Sequence, residues 1–491
     1  MSIDYSNYKD AVISDDITKN LIDLRSVTGN TMDLNVMEIN IGGVDCAVVT
    51  IEAMVSTSSM AELIFRPLME FKVPKNQPAQ GIFNFCTRQS LFANERKIIC
   101  SYGDIMQLLF SGFAVILINT IPRAIAYGVQ GFDKKSISEP TSERNVMGSQ
   151  EAFAEVIRTN ISLIRRRIKN PALRFEMLQI GEKSSTDVCI VHMAGKAPQK
   201  VVDRVRKKLK NIKMDTVIAS GYIKPFLEEK NGQNLFSGIG TTERPDILCS
   251  KLNEGKVGVL IDGTPFALIC PTLFVENFKT IDDYCSKPYY AAFIRWIRYI
   301  AFFFAVAFPG IYVSIINYHP EMLTLRMLLN LYASEQTTPY PLYFEIIIIM
   351  ALLELMREAS VRLPTAIGSA ISIVGGLVIG DAAVKSGLIS SPLLIIVGLT
   401  ATASFVLPGF SQQTSVLRIL YIIAGGAAGF LGIAICTILI ISNICAMDEF
   451  NVPYTAPVSP FSRKEITDVI SRKSYRRMEN EHPTIENYMK N

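Results

Sequence analysis

Histidine is scarce in this chain of 491 residues, which contains only His192, His319 and His482. No two of them are near each other in the sequence, so a histidine-based metal centre or catalytic triad is poorly supplied. The phosphate-binding pattern GxxxxGK[ST] is absent too, so nothing suggests ATP hydrolysis. We expect a protein that is not an enzyme and that uses neither a cofactor nor a metal centre.

Signals for cysteine pairing are missing as well. The nine cysteines are scattered, their number is odd and no CxxC pair occurs, which indicates reduced side chains that fill the core.

The net charge of +4 is too small to indicate a nucleic-acid partner. The first residues are polar and acidic and lack the pattern of a signal peptide, so we expect the amino terminus in the cytoplasm.

Charged residues are absent from two long stretches near the carboxyl end. Residues 388–417 and 419–447 contain no Asp, Glu, Lys or Arg, whereas charges recur every few residues up to about residue 292. About 20 apolar residues cross the hydrocarbon of a bilayer, so these stretches predict transmembrane helices. We expect an integral membrane protein whose amino-terminal part is soluble.

The soluble part has the pattern of an α/β fold in two subdomains, because short β-rich runs alternate with amphipathic helical patterns. The first subdomain spans 1–131, with strands predicted at 46–55 and 112–118. A polar linker, 132–148, follows it.

The second subdomain spans 149–291. Its pattern predicts a helix over 151–168, a strand over 188–195 and a hairpin at Asp262-Gly263, a dipeptide favoured in tight turns. Two basic runs are interpreted as solvated helix faces: 165–167 and 201–213. The alternative is that they contact anionic lipid or an acidic partner surface.

The region 292–447 reads as an all-α polytopic transmembrane bundle. Its apolar segments lie near 297–318, 342–356, 363–380, 388–411 and 419–447. The tail, 448–491, is basic, and positive segments favour the cytoplasm. With both ends cytoplasmic the number of crossings is even, so we expect about four full crossings and one broken or re-entrant segment, at 342–356 or 363–380.

Carboxylates interrupt the apolar run that ends near Pro364. Glu354 and Glu358 lie on nearly one face of a helix, whereas Glu345 lies about 180° from Glu354. Ionisable groups at membrane depth usually face a cavity or a partner, so Glu354 and Glu358 are candidates for an ion pathway or gate. The alternative is that Glu358 and Arg362 form a structural ion pair at i,i+4. Both interpretations stay open.

Small residues follow this run. Gly376 and Gly380 form a GxxxG pair, with Gly375 beside them and Asp381 directly after. Such glycines let helix backbones approach closely, and we expect either close packing or a pore or hinge role for them and for Asp381. The glycines of the last apolar segment are interpreted as packing residues: Gly425, Gly429 and Gly432.

The start of the first apolar segment carries Arg295, Trp296 and Arg298. Cations that flank an indole ring are typical of a membrane interface, where the charge reaches water while the ring lies among headgroups. We expect these three residues to anchor the helix there.

Several long motifs together resemble the A subunit of GerA-type spore germination receptors, a family that includes a stage V sporulation membrane protein. They are SEPTSERNVMGSQEAFAEVIRTNISLIRRRIKNP, TTERPD, GKVGVLIDGTPFALICP and REASVRLPTAIGSAISIVGGLVIGDAAVKSGLISSP. The resemblance runs from about residue 112 to residue 447.

The resemblance implies a subunit in the inner membrane of a spore, assembled with itself and with B and C subunits. It further implies a nutrient-gated channel that releases monovalent cations. A secondary solute transporter is one alternative, but it predicts inverted repeats with broken helices in both halves, and only one broken region is visible. A scaffold of the germination complex is the other.

Overall fold

The structure, a computed structural model, describes residues 7–88, 95–131, 139–140, 143, 147–229, 234–362, 380–461, 466–470, 472 and 485–489. Along the chain it contains two α/β units, a helical region and a tail. The predicted fold class, two α/β subdomains followed by apolar helices, is confirmed. Most of the predicted linker, 132–148, lies outside the described residues.

The first α/β unit is built on an antiparallel five-stranded sheet of order β1-β2-β4-β5-β3. Helices α1 and α5 cover one face of the sheet, and α2 to α4 cover the other. Its elements are α1 Ile17–Thr28, β1 Leu34–Ile41, β2 Val44–Ile51, α2 Thr57–Met60, a π-helical turn Ala61–Phe65, α3 Arg66–Glu70, α4 Pro78–Arg88, β3 Arg96–Ile99, α5 Tyr102–Leu109, β4 Phe113–Ile118 and β5 Ala124–Gly128.

The second unit repeats this plan. Its sheet has the order β6-β7-β9-β10-β8, which is again first, second, fourth, fifth and third along the chain. Helices α6 and α9 cover one face, and α7 and α8 the other. Its elements are α6 Ile157–Arg167, β6 Leu173–Ile180, β7 Thr186–Met193, α7 Gln199–Lys210, α8 Ser220–Leu227, β8 Gly240–Thr242, α9 Pro245–Asn253, β9 Val257–Ile261 and β10 Ala267–Cys270.

The predicted hairpin is confirmed, because β9 and β10 pair antiparallel around Asp262-Gly263 and Gly263 has a φ of 79°. The turn also caps a helix. The Asp262 carboxylate accepts a hydrogen bond of 2.9 Å from the backbone N–H of Ile157 at the start of α6. The helix therefore begins at Ile157, and the prediction that it begins at residue 151 is wrong.

A buried ion pair joins the two units. Arg165 of α6 binds the Asp33 carboxylate through Nε at 2.8 Å and Nη2 at 3.1 Å. Its guanidinium also lies over the rings of Phe110 and Phe175, at 4.7 and 4.9 Å from their centroids. The interpretation of residues 165–167 as a solvated face is wrong for Arg165, because a buried arginine requires a carboxylate partner and the first unit supplies one, whereas the two arginines after it are partly exposed.

The second unit ends with a 3-10 helix, Phe274–Phe278, and with α10 Ile281–Cys285, and the helical region follows it. The elements of the helical region are α11 Pro288–Val306, α12 Phe308–Tyr318, a 3-10 turn Pro320–Met322, α13 Leu325–Glu335, α14 Leu342–Arg362, α15 Gly380–Lys385, α16 Ser391–Phe405, a 3-10 turn Pro408–Phe410 and α17 Ser411–Cys445. By length and apolar composition alone, two described stretches could cross a membrane: Pro288–Val306 and Pro408–Cys445.

Helix α17 reverses direction inside the second of these stretches. The Tyr421 hydroxyl lies 2.9 Å from Oγ1 of Thr437, whereas 16 residues of straight helix would separate them by about 24 Å. The reversal occurs at Ala428 and Gly429, where φ of Gly429 is 61°. Residues 411–427 and 430–445 are thus two antiparallel limbs. The prediction of one continuous helix over 419–447 is wrong, since a glycine that permits positive φ ends the first limb.

Aromatic rings join the second unit to the helical region. Phe274 and Phe410 have centroids 5.4 Å apart, and Phe278 and Tyr299 have centroids 4.5 Å apart. The rings come from the second unit, α11, the turn before α17 and the tail: Phe236, Phe274, Phe278, Tyr299, Phe302, Phe410 and Tyr454. The helices are therefore packed against the second unit and are not merely tethered to it.

The tail folds back on the second unit. Its elements are β11 Asp448–Glu449, β12 Val452–Pro453, α18 Thr467–Ile470 and a 3-10 turn Ile485–Tyr488. The buried Glu449 carboxylate accepts a 3.0 Å hydrogen bond from the backbone N–H of Glu229. Burial raises the pKa of Glu449 to about 7. The carboxylates of Glu229 and Glu228 add to this increase, whereas the charge of Lys208 opposes it.

Docking of this hairpin should weaken as the pH rises. Because the pKa of Glu449 in the folded chain lies above the ordinary value of 4.5, its contribution to stability is complete below that value and is lost as the pH rises through about 7. After division by the intrinsic exchange rate at each pH, the protection of residues 447–454 from hydrogen exchange in the full chain should be greater at pH 5.5 than at pH 8. Glu449→Gln should be protected equally at both pH values; an unchanged pH dependence in this variant would contradict the assignment.

Candidate functional site

A carboxylate and two arginines meet between the apolar helices. Glu354 of α14 contacts Arg357 at 2.8 Å, one turn along the same helix, and Arg418 of the first limb of α17 at 3.4 Å. The pairing arises because α14 runs antiparallel to that limb, as the 2.8 Å bond from Arg357 to the Ser415 hydroxyl also shows. The site therefore joins two helices that are distant in sequence.

Arg418 is the centre of this network. Its side chain is 1% exposed, and its Nε donates a 2.9 Å hydrogen bond to the carbonyl of Ala305, at the end of α11. Its Nη2 has no hydrogen-bond partner among the described residues. Reasoning from the sequence missed this residue, although one signal was present: Arg418 alone separates the two uncharged stretches.

The network carries one negative and two positive groups. Glu354 is consequently neutralised in this conformation and does not present a free carboxylate to a path for cations. Because a buried cation without a partner is costly, removing Glu354 should leave Arg418 in an unfavourable environment. The network thus links α11, α14 and the first limb of α17 and fixes their positions along one another.

The model of the family described as "Bacillus/Clostridium GerA spore germination protein" matches residues 23–484. The chain belongs to this GerA family. The resemblance expected from the motifs is thereby confirmed.

Several relatives cover nearly the whole chain. Spore germination protein KA of Bacillus subtilis (strain 168) is 35% identical over 467 residues, which are 94% of this chain and 85% of that protein. The uncharacterized membrane protein YfkQ of the same organism is 33% identical over 468 residues, 94% of this chain and 90% of that protein. A crystal structure of the N-terminal domain of the A subunit of the Bacillus megaterium spore germinant receptor GerK3 is 29% identical, with a TM-score of 0.42, and covers 54% of this chain and 98% of that one.

The other carboxylates predicted for the site of this GerA-family chain are paired on its surface. Glu358 contacts Arg362 at 2.5 Å, and Asp381 contacts Lys385 at 2.7 Å, each one helical turn away. The side chains of both pairs are largely exposed. Glu358 and Glu354 are therefore not brought together in one site, because Glu354 faces α17 while Glu358 pairs along its own helix.

The predicted glycines are only partly described. Gly375 and Gly376 lie outside the described residues, and a Cβ on the buried Gly380 would meet Leu394 at an ordinary 3.5 Å. In α17, a Cβ on Gly425 would approach the carbonyl oxygen of Gly310 to 2.4 Å, so α12 and the first limb need glycine there. Gly429 has a second role, since it makes the reversal of α17 possible.

Arg295 and Arg298 are buried inside the protein. Arg298 binds both oxygens of Asp283 at 2.8 Å, and Arg295 contacts the same carboxylate at 3.4 Å. Arg472 of the tail also donates to the Asp283 carbonyl, at 3.1 Å. The two arginines therefore fix α11 to the second unit; Trp296 is half-exposed, and its role as an interface anchor stays a prediction.

Glu354→Gln should destabilise this GerA-family protein more than Glu358→Gln. Removing one partner of a buried ion pair costs about 3–5 kcal/mol, somewhat less for a partly exposed group such as Glu354, whereas an exposed pair contributes about 0–1 kcal/mol. Thermal unfolding of the detergent-solubilised full chain measures the stability of both variants. Equal unfolding temperatures for the two variants would show that the network adds nothing to stability.

Proposed function

We propose that this chain is the A subunit of a spore germinant receptor. In this proposal it assembles with further copies of itself and with B and C subunits in the inner membrane of the spore. The assembly is a channel that opens when nutrient binds and releases monovalent cations. The observation that carries the proposal is the ionisable network of Glu354, Arg357 and Arg418 between apolar helices, since such groups usually mark an ion pathway or its control.

The surface of the helical region supports insertion in a membrane. Large apolar side chains stand exposed along both limbs of α17, where water would be an unfavourable neighbour: Ile419, Ile423, Leu431, Ile435, Ile438 and Leu439. Lipid or another subunit would cover them. The KA and YfkQ relatives, one a germination protein and the other a membrane protein by name, agree with this location.

The pairing of Glu354 suggests how the channel closes. While Arg357 and Arg418 neutralise the carboxylate, it cannot lower the electrostatic barrier for a cation. Movement of α14 relative to the first limb of α17 would separate Glu354 from Arg418 and expose the carboxylate to the path. Glu354, Glu358, Asp381 and the glycines near Gly380 remain the proposed pore or gate.

Reconstituted receptor tests this function directly. Liposomes that contain the A, B and C subunits should release potassium when nutrient is added, and Glu354→Gln should reduce the release at least tenfold without loss of assembly. Glu70→Gln, which alters an exposed ion pair of the first unit, is the control and should release potassium normally. Release that requires a co-transported solute would indicate a transporter, and no release would indicate a scaffold.

Labelling of single cysteines tests the membrane topology. The contacts of Ala305 with Arg418 and of Tyr318 with Gly426 show that α11 and α12 run parallel to the first limb, so the second limb returns toward the α/β units. We therefore expect both termini in the cytoplasm. An impermeant reagent should label a cysteine placed between residues 319 and 341 in intact cells, but not one at residue 2 or 491; labelling at residue 491 alone would exclude an even number of crossings.

A further inference from the structure

A second group of polar side chains is buried at the end of the helical region that is far from the α/β units. Glu345, in the first turn of α14, is 1% exposed. Its Oε1 accepts a hydrogen bond from the backbone N–H of Ser390, directly before α16, while its Oε2 has no hydrogen-bond partner among the described residues. The apolar cluster beside it includes Ile346 of α14, Leu331 of α13 and Ile389, the residue before Ser390.

Two more buried oxygen atoms have no hydrogen-bond donor in the part of the chain that the structure describes. The Ser390 hydroxyl, in a residue 3% exposed, and Oε1 of Glu335, at the end of α13, are buried without a hydrogen bond to any described residue. The chain just after Glu335 contacts the chain just before Ser390, since a Cβ on Gly387 would meet the carbonyl oxygen of Thr337 at 2.9 Å. Tyr312 of α12 packs against the same apolar cluster. Residues 363–379, which lie outside the described part, contain no Lys or Arg and so bring no cationic side chain.

Capping of a helix explains only part of this arrangement. A carboxylate at the amino-terminal end of α16 is favourable and accounts for Oε1 of Glu345. It does not account for Oε2, for the Ser390 hydroxyl or for the second carboxylate. A proton shared by the carboxylates would supply a single donor, whereas a metal cation interacts with all of these oxygens at once and compensates both charges.

We propose that Glu335, Glu345 and the Ser390 hydroxyl form a binding site for a hard divalent cation, for which Ca²⁺ is the natural probe. Such cations take carboxylate and hydroxyl oxygens as ligands, and two carboxylates match their charge. Bound there, the cation joins α13, α14 and the start of α16. The site is separate from the network of Glu354 and does not depend on channel activity.

Terbium luminescence tests the site. Tb³⁺ substitutes for Ca²⁺, and energy transfer from the nearby Tyr312 should make the bound ion emit. The detergent-solubilised full chain should bind one Tb³⁺ that Ca²⁺ displaces, and Glu345→Gln or Glu335→Gln should weaken binding at least tenfold. Glu321→Gln, an exposed acid in the same connection between α12 and α14, is the matched control and should bind as the wild type does.

Three results would overturn the proposal. The first is equal Tb³⁺ affinity in the wild type and in both glutamine variants. The second is thermal stability that rises with falling pH but does not respond to Ca²⁺, which would indicate a shared proton. The third concerns Ser390→Ala, which removes only the hydroxyl and serves if Glu345→Gln does not fold. Unchanged Tb³⁺ affinity in Ser390→Ala would also contradict the site.

Discussion

Asp283 determines how the helical region is attached to the rest of the molecule. Its carboxylate receives Arg295 and Arg298 from successive turns of α11, and its backbone carbonyl receives Arg472 from the tail. Buried guanidinium groups tolerate few other environments, so α11 can leave the second unit in only one direction. The aromatic rings around Phe274 and Phe410 then pack the turn before α17 against the same surface. A displacement of the second unit would therefore be transmitted to the helices.

The two α/β units share one plan of strands and helices, yet they meet different neighbours. The first unit presents Asp33 to the second, and the second presents its α7 and α8 side to the tail. A repeated fold can acquire such distinct contacts because its core depends on the alternation of apolar residues, while its surface is free to vary. The second unit contacts both the first unit and the helices.

Local patterns predicted the elements that depend on near neighbours. The strands near 46–55 and 112–118, the turn at Asp262-Gly263 and the family motifs were all visible in the sequence. The burial of Arg165 was not, because its partner Asp33 lies 132 residues earlier. Similarly, Arg418 meets Glu354 across 64 residues. The reversal at Gly429 was hidden because glycines among apolar residues also suit close helix packing.

The reversal of α17 has a consequence for how the protein is made. The residues at the turn, from Gly425 to Gly432, include no charged side chain, so no hydrophilic loop would have to be carried through the bilayer. Two limbs that already bury Tyr421 against Thr437 can enter the lipid together as a preformed hairpin. A hairpin of this kind needs no topogenic loop between its limbs, so the pairing of the limbs would take the place of such a signal.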